Sequence, residues 1–341
     1  MKNEPALRKT EILIKILPLV AFAIPLAVLY TLNPMDSYLN VSTQDSFELM
    51  WKGRTFLLFF LWLVALEFIL SWETIKTKIN LQNKTQAALY TVVLLLPSLY
   101  VAWEFLGLNA AIANLSLQSG VAFYGSMPLA VEYLVFCVLF CVIVFTAFGK
   151  KGLTGFVLPA LFVALVGLLY TIDNVFPQGE FTPFQLLVPT TAYLAAGVLG
   201  MMGYTVVSSF ESGMPTLDVT GSLGSAKFAI AWPCAGIESL LIFTAVALLF
   251  LKQMRISWKA KIGYFAIGAA VTYFINVLRI ATIFTIGTQF GTNSAQVQDF
   301  HYYYGPLYAM AWIVSYPLII IAVNAVWQKI RKPQPIPPAP A

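Results

Sequence analysis

Nine runs of predominantly apolar residues divide this chain, each close to the ~20 residues a helix needs to cross a hydrocarbon core. They fall at about 12–32, 55–71, 87–107, 128–148, 153–172, 184–208, 235–251, 261–287 and 306–328. With 59% of residues apolar and only 10% charged, a chain of this length cannot cover a water-facing surface. Lipid removes that requirement, because it solvates an apolar exterior while helices satisfy their own backbone groups. The sequence therefore reads as an all-α, polytopic transmembrane helical bundle. The net charge of +5 is no sign of nucleic-acid binding, since most basic residues stand in short stretches between runs.

Those basic stretches set the expected orientation. Lys2, Arg8, Lys9 and Lys15 put the N-terminus inside, as do Lys76, Lys78 and Lys84 for the second loop. Lys150 with Lys151 place the fourth loop inside, and Lys252, Arg255, Lys259 and Lys261 do the same for the segment 252–261. Lys329, Arg331 and Lys332 put the C-terminus inside as well. Two inside termini demand an even number of crossings, and nine runs are present. The conflict lies between Lys151 and the segment 209–233, which must be outside if 235–251 descends to the basic loop. The run 184–208 is the weak one, because it holds Pro189, Gly197, Gly200 and Gly203 with several Thr and Ser. The expectation is about eight full spans plus one irregular or re-entrant element.

The first run is too long for a signal-peptide core and has no clear small-residue cleavage site, so it reads as a retained anchor. Three cysteines and one histidine are too few for a disulfide framework and leave little material for a metal centre. Neither a metal nor another cofactor is expected. The proline-rich end, from Pro333, reads as extended and disordered. The expected division is N-terminal transmembrane helices over 1–208, a catalytic transmembrane region with extracytoplasmic loops over 209–328, and a disordered cytoplasmic tail over 329–341.

The last three runs bring reactive residue types to one face. Cys234 opens the 235–251 helix from the outside, within Trp232-Pro233-Cys234-Ala235-Gly236-Ile237-Glu238. The next span rises from Lys261, and Arg279 follows about 27 Å higher at 1.5 Å per residue. His301, the single histidine, then stands in the outside loop 288–305 just before the final helix. A thiol attacks a carbonyl as the thiolate, which an adjacent base, a cation and a helix N-terminus all favour. His301 has the chemistry to take that proton and later protonate a leaving amine. Arg279 stays charged and suits a developing oxyanion or a substrate carboxylate.

Weaker readings stand beside these. A lone cysteine in a membrane protein is as a rule a small apolar filler, and Cys137 and Cys141 are read that way. An arginine inside an apolar run is costly and functional by default. Glu238 is one turn from Cys234 on the same face, where a carboxylate opposes thiol activation. It is assigned as a partner for Arg279, with orientation of His301 as the alternative. Glu67, Glu104 and Glu132 are intramembrane carboxylates that could mark a proton or ion path. Glu67 and Glu104 lie near span ends, where a carboxylate reaches the interface. A rival of another class is a transporter or lipid-carrier binding protein using Arg279 to hold an anionic headgroup.

The order Pro233-Cys234-x-Gly236-Ile237, then Asn276-Val277-Leu278-Arg279-Ile280, then His301-x-x-x-Gly305 resembles the exosortase/archaeosortase family. The resemblance covers about residues 210–325. It implies a membrane cysteine transpeptidase or endopeptidase with Cys234 as nucleophile and Arg279 and His301 completing a triad, with Glu238 and Asn276 in support. It implies as partners exported proteins bearing C-terminal sorting signals, and a membrane lipid, another amine or water as acceptor. Members of that family often carry Ser or Thr after the cysteine, where this chain has Ala235. Archaeal members commonly have a second arginine where His301 stands, so the histidine is of the bacterial kind, while the overall texture suggests an archaeal branch. The segment Phe210–Trp232 is expected either to read the substrate motif or to serve as a connector. The implied place is the cell membrane, multi-pass, with both termini cytoplasmic and the active site at the extracytoplasmic face.

Overall fold

A computed structural model of the chain describes residues 4–32, 54–79, 82–176, 186–211 and 213–330. The helices are α1 (Glu4–Leu32), α2 (Arg54–Leu70), α3 (Lys84–Trp103), α4 (Asn109–Gln118), α5 (Met127–Gly155), α6 (Val157–Val175) and α7 (Val188–Met201). Three strands follow, β1 (Thr205–Glu211), β2 (Met214–Gly221) and β3 (Gly224–Ala229). The chain continues through α8 (Ile237–Gln253), α9 (Trp258–Phe290), the short α10 (Ala295–Asp299) and α11 (Gly305–Ile330). Wide π segments interrupt it at Glu104–Leu108 and Phe300–Tyr304. Helix α11 runs to Ile330; the rest of the expected tail, with Arg331 and Lys332, lies outside the described residues, as does Lys2 at the other end of the chain.

The protein is a multi-pass helical membrane protein. By length and composition, six helical stretches among the described residues suffice to cross a bilayer: Glu11–Leu32, Lys84–Gln118, Tyr124–Gly155, Val157–Val175, Trp258–Phe290 and Gly305–Trp327. Helices α2 and α8, each of 17 residues, rise about 26 Å against a core of ~30 Å. The weak run 184–208 holds the still shorter α7, of 14 residues, which ends where Gly203 takes φ 90.

The all-α expectation is corrected by the three-stranded sheet, whose order is β1-β2-β3. Connections this short between neighbouring strands make hairpins. Central β2 buries Pro215, Thr216, Leu217 and Val219, whereas β1 is exposed almost throughout. Glu211 and Lys227 pair at 2.7 Å on the outer strands, and the Lys227 hydrogen bond holds the Glu211 carboxyl below its usual range. Both side chains are about half exposed, so this pair adds little stability.

Two compact units share the chain. One comprises Met1–Tyr193, Val207–Asp218 and Lys227–Trp232; the other comprises Leu194–Val206, Val219–Ala226 and Pro233–Ala341. The first is built on an aromatic core. Phe22 meets Phe60, Phe136 and Phe140 edge-on, with ring centroids 5.6–5.8 Å apart. Such edge-to-face contacts suit the ring quadrupole and fix neighbouring helices in register.

That core also encloses a buried ion pair. Arg54 Nη2 lies 2.9 Å from Glu132 Oε2, with neither side chain exposed, and Arg54 Nη1 donates to the Leu29 carbonyl at 3.4 Å. The expectation that Glu67 and Glu104 reach the interface is corrected, since they are 0% and 2% exposed. Glu67 instead accepts a hydrogen bond from the Ser71 hydroxyl at 2.8 Å. Packing against neighbouring helices shelters carboxyl groups that a single helix would have sent to the headgroups.

Breaking the Arg54–Glu132 pair from one side leaves a buried charge without its counter-ion. Arg54→Leu is expected to lower stability by about 3–5 kcal/mol, with much of the loss recovered when Glu132→Leu is added. Thermal unfolding of the purified protein in mild detergent measures both.

Candidate active site

In the second unit, Cys234 sits in a tight turn, Trp232–Ala235, immediately before α8. The turn enters the helix through Gly236, which has φ 88, a left-handed conformation that costs a glycine little. The Asn276 side chain presses against this glycine: a Cβ there would stand 3.0 Å from the Asn276 amide. Asn276 Nδ2 donates to the Cys234 carbonyl at 2.8 Å. Glycine is thus required twice, for its backbone angle and for the space the asparagine fills.

Arg279 follows Asn276 by three residues on α9, so the two share one face. Its Nη2 donates to the His301 main-chain carbonyl at 2.8 Å. The rest of the side chain crosses the start of α11 over Gly305, where a Cβ would fall 2.6 Å from Arg279 Nε and 2.9 Å from the Phe300 carbonyl. The guanidinium is within electrostatic reach of the Cys234 thiol and the Glu238 carboxylate. Its Nε is buried and has no hydrogen-bond partner. Cys234, Glu238, Arg279 and His301 are all partly exposed rather than sealed in the core.

The five residues singled out in the sequence therefore belong to one unit and are linked through α9. Asn276 and Arg279 hold Cys234 and His301 by their main-chain carbonyls. His301 lies in the π segment Phe300–Tyr304, a wide turn of the kind that recurs at functional sites. The contacts made by Gly236 and Gly305 were not deduced from the sequence, although both glycines stood within its motifs. A glycine adjacent to a motif residue was the available signal. Cys137 and Cys141 belong to α5 in the other unit, and the Cys137 thiol donates to the Ala160 carbonyl at 3.4 Å.

The model of the transmembrane exosortase family matches residues 48–320, well over half of the chain. The protein belongs to the exosortase family. No curated protein and no solved structure matches it. Membership of the exosortases brings a general role in processing sorting signals, and the family acts on exported proteins that carry such signals at their C-termini.

The close approach at Gly305 generates a prediction about this exosortase. Gly305→Ala forces the Arg279 side chain away from α11 and strains its bond to His301, an overpacking expected to cost about 1–3 kcal/mol. A melting temperature unchanged from the parent protein would contradict that contact.

Proposed function

We propose that the protein is a membrane-embedded cysteine transpeptidase or endopeptidase that cleaves C-terminal sorting signals of exported surface proteins through a thioester at Cys234. The region 209–328 is its catalytic part, and the active site faces the extracytoplasmic side, with both termini cytoplasmic. The observation that carries this reading is the reach of Arg279 to Cys234 from the same side chain that bonds the His301 carbonyl. Family membership supports it, since it implies a membrane cysteine enzyme of this class.

In this mechanism the Cys234 thiol gives its proton to the His301 imidazole and attacks the scissile carbonyl. The carbon–sulfur bond forms as the carbonyl π electrons move onto oxygen. Arg279 stabilises that oxyanion with the positive charge of its guanidinium. Collapse expels the amine, which takes the proton from His301, and leaves an acyl thioester on Cys234. An amine, such as a lipid headgroup, or water then attacks the thioester and restores the thiol. Asn276 and Glu238 act in support: Asn276 steadies the Cys234 turn through its carbonyl, and Glu238 biases Arg279.

Processing of a tagged exported protein, followed by gel mobility, tests the assignment. Cys234→Ala is expected to abolish processing, while Cys137→Ala and Cys141→Ala leave it intact. His301→Ala and Arg279→Gln are each expected to lower the rate by at least ~10²-fold. Full processing by Cys234→Ala, with Arg279 still essential, would instead favour a protein that uses Arg279 to hold an anionic headgroup.

A further inference from the structure

The first unit contains a second concentration of polar groups that this chemistry does not use. Glu104 is 2% exposed and neither carboxyl oxygen has a hydrogen-bond partner. It lies within electrostatic range of both members of the buried Arg54–Glu132 pair. Tyr100 and Asn109 stand beside its carboxyl group without reaching hydrogen-bond geometry. The Tyr100 hydroxyl and both amide atoms of Asn109 are likewise buried and without partners, and Asn109 is 1% exposed.

The helix breaks at this place. Between α3 and α4 the π segment Glu104–Leu108 includes Gly107 at φ 104, outside helical geometry. Interrupted membrane helices with polar groups at the break are a recurrent way of presenting oxygen atoms to an ion. With Glu104 ionised, two carboxylates and one guanidinium leave one negative charge in surroundings where an uncompensated charge is very costly. A single monovalent cation cancels it. The acceptors nearby are all hard oxygens, from carboxylate, amide and phenol, which suits an alkali cation. A divalent ion would overcompensate the charge, and among the described residues no group of three His, Cys, Asp or Glu is placed to hold one.

We propose that Tyr100, Glu104 and Asn109, backed by the Arg54–Glu132 pair, form a binding site for a small monovalent cation of the sodium type. The cation ties the end of α3 to the start of α4 and completes the polar interior of the first unit. This site is independent of the role assigned to Cys234. The competing way to neutralise Glu104 is a proton on its own carboxyl group, and the experiment separates the two.

The probe is radiolabelled sodium, added to the purified full-length protein in detergent well above the ordinary carboxylate range of pH. Saturable binding is expected, displaced by unlabelled sodium but not by choline. The melting temperature is expected to rise when sodium chloride replaces choline chloride at equal ionic strength, as it must when a ligand binds only the folded state. Glu104→Gln is expected to lose both the binding and the sodium response while melting in choline no lower than the parent, because the amide removes the uncompensated charge. Asn109→Ala is expected to weaken binding. Failure of the folded parent protein to bind either sodium or the potassium analogue rubidium, with a melting temperature that follows pH alone, would overturn the proposal in favour of the proton. Retention of sodium binding by Glu104→Gln would overturn it too.

Discussion

Two hydrogen bonds from one face of α9 hold the candidate site together. Asn276 donates to the carbonyl of Cys234 and Arg279 donates to the carbonyl of His301, each at 2.8 Å. Because both acceptors are main-chain oxygens, the bonds fix the turn before α8 and the π segment before α11 without consuming thiol or imidazole. A helix is a stiff ruler, and residues three apart on it keep a fixed spacing. The geometry of the turn and of the π segment is therefore referred to one rigid element. The two glycines at the points of contact, Gly236 and Gly305, let side chain and backbone approach closely enough for this to work.

Arg54 and Arg279 are held in opposite ways. Arg54 is saturated, with a carboxylate on one edge and a carbonyl on the other, and nothing of it is exposed. Such a group holds helices together. Arg279 makes a neutral hydrogen bond to a carbonyl, keeps an unpartnered Nε, and sits in a partly exposed setting. Its guanidinium charge is what the proposed mechanism uses to meet the oxyanion. Arg54 reads as architecture, and Arg279 carries the charge that the proposed chemistry calls for.

The sequence made parts of this legible for physical reasons. Charged residues inside apolar runs are conspicuous, so Arg279 and the carboxylates stood out, and the rise per residue brought Arg279 to the height of Cys234. The sheet was harder to see. In β1, Val206 and Val207 adjoin and Ser208 and Ser209 follow, so period-two alternation is missing; in β2, consecutive residues Pro215 to Leu217 are all buried. Arg54 borders the apolar run 55–71, and position alone does not distinguish it from an ordinary flanking charge. The burial of Glu104 was not legible, since the π segment that begins at this residue leaves no periodic signal. Neither π segment could be deduced, because a wide turn is set by tertiary packing and not by composition.

The covalent step on which the functional account rests is open to direct observation. Intact-mass and peptide mass spectrometry of the parent protein, acid-quenched while processing a tagged substrate, looks for an acyl adduct. The account predicts a hydroxylamine-labile adduct of substrate mass on the peptide containing Cys234 and on neither Cys137 nor Cys141. Product accumulating with no adduct on Cys234 in any variant, or a stable adduct on another residue, would contradict it.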